Sequence, residues 1–226
     1  MSSADWKIAV GADEISATYD PPTTDDECAV FACAHGAGGN MSDRGVLATA
    51  QALRAQGIGV VRFNFPYKEK KSGRPDPMPR LMSTVEAVVA RIRAELQPQR
   101  LIIGGRSMGG RAASMLAADG FAADGLLLLA YPLHPAQQPE KLRDAHLPRI
   151  RMPVLCFNGT RDALCTRALM EGALTTVAAD WEMRWIEGAD HSFHVLKSSG
   201  TSDAAVMREI AGLSGAWARG LSPLSR

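Results

Sequence analysis

Short runs of consecutive apolar residues alternate along this chain with longer stretches of mixed, helix-spaced polarity. Residues 28–34, 58–63, 100–104, 124–130, 154–158 and 181–186 are the short runs, and each has the length of a strand. Between them, residues 42–56, 80–96, 111–118 and 164–178 have helical spacing, and 203–219 closes the chain as a further helix. The 80–96 helix stops before Pro98, and Asp43 falls in the first turn of the 42–56 helix. Residues 6–18 read as a hairpin turning at Gly11-Ala12-Asp13. Residues 64–79 are rich in proline, glycine and charge and read as a long loop. Strands alternating with helices imply an α/β fold with a mostly parallel central sheet and helices on both faces. The run Leu126-Leu127-Leu128-Leu129 suits a strand buried on both sides. No internal repeat or low-complexity segment interrupts the pattern, so one domain over 1–226 is the expectation.

Special residues cluster where the apolar runs end. His35-Gly36, Ser107, Asp162 and His191 all follow the carboxyl end of an expected strand, the usual place for a ligand in such a sheet. The strongest signal is Gly104-Gly105-Arg106-Ser107-Met108-Gly109-Gly110. Gly105, Ser107 and Gly109 make a G-x-S-x-G between a strand and a helix, the setting of a nucleophile elbow. A side chain at either flanking glycine would crowd the strand and helix that the sharp turn brings together. The serine is then held at a helix N-terminus, where free N–H groups face developing negative charge.

A serine hydroxyl needs a base at neutral pH, and the base needs an orienting carboxylate. With an elbow serine the chain order is Ser, carboxylate, His. Asp162, in Asn158-Gly159-Thr160-Arg161-Asp162, and His191, in Glu187-Gly188-Ala189-Asp190-His191, follow Ser107 in that order and in short glycine-containing loops. The competing residues fit less well. His194 is the main rival base; Asp190 is adjacent to His191 and points away on a turn; Asp180 precedes a strand. His134 and His146 lie in a proline-rich connection, and His35 in a glycine loop. The oxyanion of an acyl-transfer intermediate needs aimed N–H groups. Met108, after the serine, is one expected donor; Ala37 is the other, with Gly38 as alternative, in His35-Gly36-Ala37-Gly38-Gly39-Asn40-Met41.

That glycine loop also raises a dinucleotide site. The register fails, because Gly36-x-Gly38 is followed by Met41 where a third glycine belongs, and Arg62 rather than an acid ends the next strand. A formal charge of +1 gives no case for nucleic acid or an acidic membrane surface. Lys68-Glu69-Lys70-Lys71 reads as a solvated charged run. The four cysteines form no C-x-x-C and no metal spacing, no run approaches membrane-spanning length, and residues 1–7 lack a signal-peptide pattern. A reduced, cytoplasmic setting is expected.

Taken together, His35-Gly36-Ala37-Gly38-Gly39-Asn40-Met41, Arg62-Phe63-Asn64-Phe65-Pro66-Tyr67 and Gly104-Gly105-Arg106-Ser107-Met108-Gly109-Gly110-Arg111 resemble the α/β-hydrolase fold from about residue 28 onward. More narrowly they resemble a compact branch near the dienelactone-hydrolase and small carboxylesterase families. Testis-expressed hydrolase-like proteins and a subunit of the nonspecific-lethal chromatin complex carry related domains. The resemblance implies Ser107, Asp162 and His191 as a triad, the 35–39 loop as oxyanion site, and neither metal nor organic cofactor. Dienelactone hydrolases use a cysteine nucleophile, whereas this chain has serine. The interval 131–152 is too short for the cap domain that many α/β-hydrolases insert, so an α/β-hydrolase fold with no large cap domain is expected. Tyr67, Met78 and Leu133 are candidate pocket residues on the two long loops. The expected function is hydrolysis of a small or medium carboxylic ester or thioester, a small-molecule substrate, through an acyl-enzyme. The alternative is a non-catalytic binding or scaffold protein on the same fold.

Overall fold

The computed structural model describes residues 3–223; Met1, Ser2 and residues 224–226, the two ends of the expected domain, lie outside the described residues. The chain opens with β1 (Ala4–Val10) and β2 (Asp13–Asp20), which pair antiparallel across the expected Gly11 turn. Their alternation buries Trp6, Ile8 and Val10 opposite Ala17, Ile15 and Asp13, with the ring of Trp6 stacked on that of Tyr19. Then follow β3 (Ala29–Ala34), α1 (Arg44–Arg54), β4 (Ile58–Phe63), α2 (Pro66–Glu69), α3 (Met78–Leu96), β5 (Leu101–Arg106) and α4 (Met108–Ala118). The chain continues through β6 (Gly125–Leu129), β7 (Val154–Gly159), α5 (Arg167–Leu174), β8 (Trp181–Ile186) and α6 (Asp203–Gly220).

The eight strands form one sheet in the order β1-β2-β4-β3-β5-β6-β7-β8, parallel from β4 to β8. Every residue of β3, β4, β6 and β7 is buried, as their largely apolar runs require. Two cores result. Val85, Val88 and Ile92 of α3 and Ala112, Ala113 and Leu116 of α4 pack on one face of the sheet. Val46, Ala50 and Leu53 of α1 and Val206, Ile210 and Ala218 of α6 pack on the other. Helices on both faces of a mostly parallel sheet, without a large cap domain, make this the α/β-hydrolase architecture. Within the 131–152 interval the described structure is irregular apart from a single turn of 3-10 helix, Leu147–Arg149.

Some boundaries differ from expectation, and three of the differences have a local reason. The loop expected over 64–79 contains α2, and α3 already begins at Met78, because Pro66 and Pro79 fall in first turns where a missing N–H costs nothing. α4 begins at Met108 rather than 111, because Gly109 and Gly110 are helical and are glycine for space. α5 starts at Arg167 rather than 164, because the backbone before it is bonded elsewhere: Leu164 N–H to Asp162 Oδ1 and Thr166 N–H to His134 Nε2.

Candidate active site at the ends of β3, β5, β7 and β8

Ser107 sits between β5 and α4 with φ 48° and ψ −118°, a conformation an L-residue adopts only when its surroundings enforce it. Its N–H donates to Leu129 O at 2.9 Å, and its own carbonyl accepts from Arg111 N–H at 2.9 Å. The two glycines two residues away leave room for this turn. A Cβ on Gly105 would collide with the carbonyl of Ala34, and one on Gly109 would lie 2.6 Å from both Ala34 Cβ and His35 O. The elbow is therefore wedged against β3, and the glycine loop that follows β3 is brought beside the serine.

The three residues singled out from the sequence meet here. His191 Nε2 is 2.9 Å from Ser107 Oγ, and its Nδ1 is 2.9 and 2.8 Å from the two carboxylate oxygens of Asp162. A carboxylate only accepts, so Nδ1 carries the proton and Nε2 presents a lone pair to the hydroxyl. The Asp162 side chain is fully buried, yet it accepts two further bonds, from Leu164 N–H at 2.8 Å and Asn158 Nδ2 at 3.1 Å. Asn158 is held in turn by both polar atoms of the Tyr131 backbone, at 3.1 and 3.2 Å. Sequence reasoning missed Asn158; its signal is an asparagine ending an otherwise apolar strand.

The loop carrying His191 is fixed from several sides. Asp190 Oδ1 accepts from Ser192 N–H at 2.7 Å and His194 N–H at 3.0 Å, so it shapes the turn rather than competing for the base. The Arg106 guanidinium lies 5.6 Å above the ring of Phe193. His194 is turned outward, its Nδ1 2.9 Å from Asp203, whose carboxylate holds the imidazole pKa above its ordinary value.

The remaining histidines are structural. His35 Nδ1 donates to Gly36 O at 2.7 Å, and its Nε2 accepts from Phe65 N–H at 3.2 Å. His134 Nδ1 donates to Pro135 O at 3.0 Å, and its Nε2 accepts from Thr166 N–H. His146 Nε2 is 2.8 Å from Ser114 Oγ on α4. Burial pushes the His146 pKa down to about 4 and lowers that of His35. In both, the neutral ring is the native form. At His146, from about pH 6.5 down to about pH 4, the unfolded chain binds more protons than the folded one, so the stability that ring contributes is full above that window and lost within it; His35 acts in the same direction. Urea midpoints are expected to fall on going from about pH 7 to about pH 4.5, with a shallower acid limb in His146→Gln. An unchanged slope in that variant would remove His146 from the account.

The 35–39 loop is braced rather than free. Tyr67 is buried and donates its hydroxyl to Ala37 O at 2.7 Å, fixing the peptide that carries the Gly38 N–H. Asp43, expected in the first turn of its helix, precedes α1 and makes no cap bond; it accepts instead from Asn40 N–H and Asn40 Nδ2, both at 2.8 Å. Arg62 is spent on a buried ion pair with Asp20 at 2.5 Å and on Met41 O, which removes it from any cofactor-binding role.

Two clefts meet at Ser107. One, of about 500 Å³, is lined by Gly36, Ala37, Gly38, Asp43, Arg106 and His191. The other, of about 350 Å³, is lined by Ala37, Met108, Arg111, Pro135, Arg143 and Leu164. Ala37 borders both, and Met108, first residue of α4, has an N–H without an intrahelical partner. Tyr67 and Leu133 are fully buried behind these walls and line neither cleft, and Met78 packs against the core. Among the described residues no group of three His, Cys, Asp or Glu side chains could hold a metal ion, and no helix is long and apolar enough to cross a membrane.

Solved structures share this architecture. An α/β serine hydrolase homologue from Coxiella burnetii superposes with a TM-score of 0.77 at 20% identity, covering 95% of this chain and 98% of the other. An α/β serine hydrolase without lid from Xanthomonas campestris gives 0.76 at 21% identity, over 99% and 97%. A dienelactone hydrolase from Anabaena variabilis ATCC 29413 gives 0.73 at 20% identity, over 98% and 99%. At these identities the likeness is one of fold. The sequence itself matches the alpha/beta hydrolase domain family over residues 27–219, and the chain belongs to that family.

Proposed function

We propose that this protein is a serine hydrolase that cleaves a small or medium carboxylic ester or thioester through an acyl-enzyme, with residues 1–226 acting as one domain. The observation that carries the reading is the hydrogen-bonded line from Ser107 Oγ through His191 to Asp162, at 2.9 and 2.8 Å, on a serine held in a strained turn.

Ser107 Oγ attacks the carbonyl carbon while His191 Nε2 takes its proton. Asp162 keeps His191 in the required tautomer and stabilises the imidazolium that forms. The carbonyl oxygen, now negative, is received by the N–H groups of Met108 and Ala37. One such donor typically contributes ~3–4 kcal/mol to lowering the barrier. The imidazolium then protonates the leaving alcohol or thiol, and water repeats the sequence on the acyl-enzyme. His191 lines only the larger cleft, so the leaving group belongs there and the acyl chain in the smaller one. Gly38 lies along the leaving-group path; Tyr67 acts on substrate only through the Ala37 peptide. All four cysteines are buried and unpaired, which supports a reduced, cytoplasmic setting.

The test is covalent labelling of the folded wild-type protein with a fluorophosphonate, followed by hydrolysis of p-nitrophenyl esters of increasing acyl length. Labelling with turnover is the expected result. A folded protein that neither labels nor hydrolyses any ester would leave the non-catalytic binding reading in its place.

A further inference from the structure

The two clefts that meet at Ser107 differ in charge. In the larger, Arg106 is accompanied by the carboxylate of Asp43. In the smaller, Arg111 and Arg143 are the only ionisable side chains among the lining residues, and both are cationic. Neither belongs to any ion pair among the described residues. Among the described residues, the Nε of Arg111 is buried with no hydrogen-bond partner, and the Arg143 guanidinium reaches only the carbonyl of Pro132, at 3.4 Å. Burial first, and then the neighbouring charge of Arg111, weigh against the protonated form of Arg143. A guanidinium nevertheless keeps its proton under all ordinary conditions, so an anion, and not titration, would relieve the mutual repulsion.

The pair is rigidly presented. Arg111 lies one helical turn after Ser107, and its N–H is bonded to the Ser107 carbonyl. The Arg143 backbone is pinned at both ends, its N–H to Leu133 O at 2.7 Å and its carbonyl to the Tyr131 hydroxyl at 2.6 Å. Ala37 and Met108 share the same cleft, so a group bound to the arginines belongs to the same molecule whose carbonyl faces the expected oxyanion donors.

We propose that Arg111 and Arg143 form a subsite for a carboxylate at the far end of the acyl chain, so that the substrate is a half-ester or half-thioester of a dicarboxylic acid. This rests on the serine-hydrolase reading for the orientation of the acyl chain. The two guanidinium groups supply forked donors that match carboxylate geometry. They also discriminate: a neutral acyl chain leaves two half-buried cations uncompensated.

The experiment compares p-nitrophenyl hydrogen glutarate with its methyl-capped, neutral counterpart, and p-acetoxybenzoate with methyl p-acetoxybenzoate. The wild type is expected to favour the free acyl carboxylate by about 10- to 100-fold in kcat/KM and to show no such preference for an anionic leaving group. Arg111→Met and Arg143→Met should each cut that ratio about tenfold. Reading a ratio cancels any general loss of folded or active protein. Calorimetric binding of p-nitrophenyl hydrogen glutarate to Ser107→Ala protein tests the subsite without turnover, and that binding should be lost in either arginine variant. Equal use of the two glutarates with no binding to Ser107→Ala overturns the proposal, as does a ratio unmoved by both substitutions or a preference confined to the anionic leaving group. Binding to Ser107→Ala in a protein whose wild type neither labels nor turns over would instead keep the subsite and sink the hydrolase reading.

Discussion

Ser107→Ala is expected to abolish fluorophosphonate labelling and to lower ester turnover by about 10⁴-fold or more, while the protein stays folded. The reasoning is local. Oγ has one partner, His191 Nε2, so its removal breaks a single hydrogen bond and leaves no buried group stranded, because the His191 side chain is 30% exposed and water can replace the hydroxyl. Alanine meets the same backbone penalty at φ 48° that serine does, and the turn is enforced by Leu129, Arg111 and the approach of Gly105 and Gly109 to β3. Stability should therefore change by only about 1 kcal/mol. The N–H groups of Met108 and Ala37 remain, so a slow residual reaction with attack by water is the expected floor. Ester hydrolysis near the wild-type rate in the folded variant would falsify the assignment of Ser107 as nucleophile.

Much of this site is legible in the amino-acid sequence. Parallel strands buried on both faces must be largely apolar, so β3 and β6 stand out as unbroken runs and β4 and β7 as runs broken only by Arg62 and Asn158 near their ends, and the ends of such runs mark the rim of the site. Ser107, Asp162 and His191 lie past the ends of β5, β7 and β8. Chain order alone pairs them, and the structure brings them within hydrogen-bond distance. Local rules fail where a tertiary bond overrides them. Asp43 reads as a helix-start residue, but its carboxylate is used by Asn40. Gly109 and Gly110 read as turn residues, yet they are helical, their hydrogens giving space to β3 and β5. Tyr67 reads as a pocket residue because an aromatic in a long loop has no visible partner in sequence; its partner is Ala37, 30 residues earlier. Arg111 and Arg143 likewise stand far apart in the chain, and nothing in either local pattern says that they share a cleft.

Asp162→Asn is expected to lower kcat by about 10⁴-fold with KM little changed, although the two side chains are nearly the same shape. All of the partners of Asp162 are donors: Leu164 N–H, Asn158 Nδ2 and, in the productive tautomer, His191 Nδ1–H. Asn158 cannot turn its amide to help, because its oxygen accepts from Tyr131 N–H while its nitrogen donates to Tyr131 O. Leu164 offers only a backbone N–H. An amide at position 162 must therefore aim its NH₂ at a donor on at least one side, and the one partner able to adapt is His191. By moving its proton to Nε2 the ring turns Nδ1 into an acceptor and relieves the clash on its own side, while the amide still meets the fixed donor of Leu164 or Asn158. Nε2 then faces Ser107 with a hydrogen instead of a lone pair, so the hydroxyl loses its base while the carbonyl-binding groups are untouched. The predicted signature is twofold: a collapse of kcat in a protein that stays folded with a lowered melting temperature, and ¹⁵N shifts of the His191 ring in which the protonated nitrogen has changed from Nδ1 to Nε2. A fall in kcat without that exchange would mean that Asp162 acts mainly through its charge on the imidazolium. Retention of wild-type kcat would remove it from the mechanism.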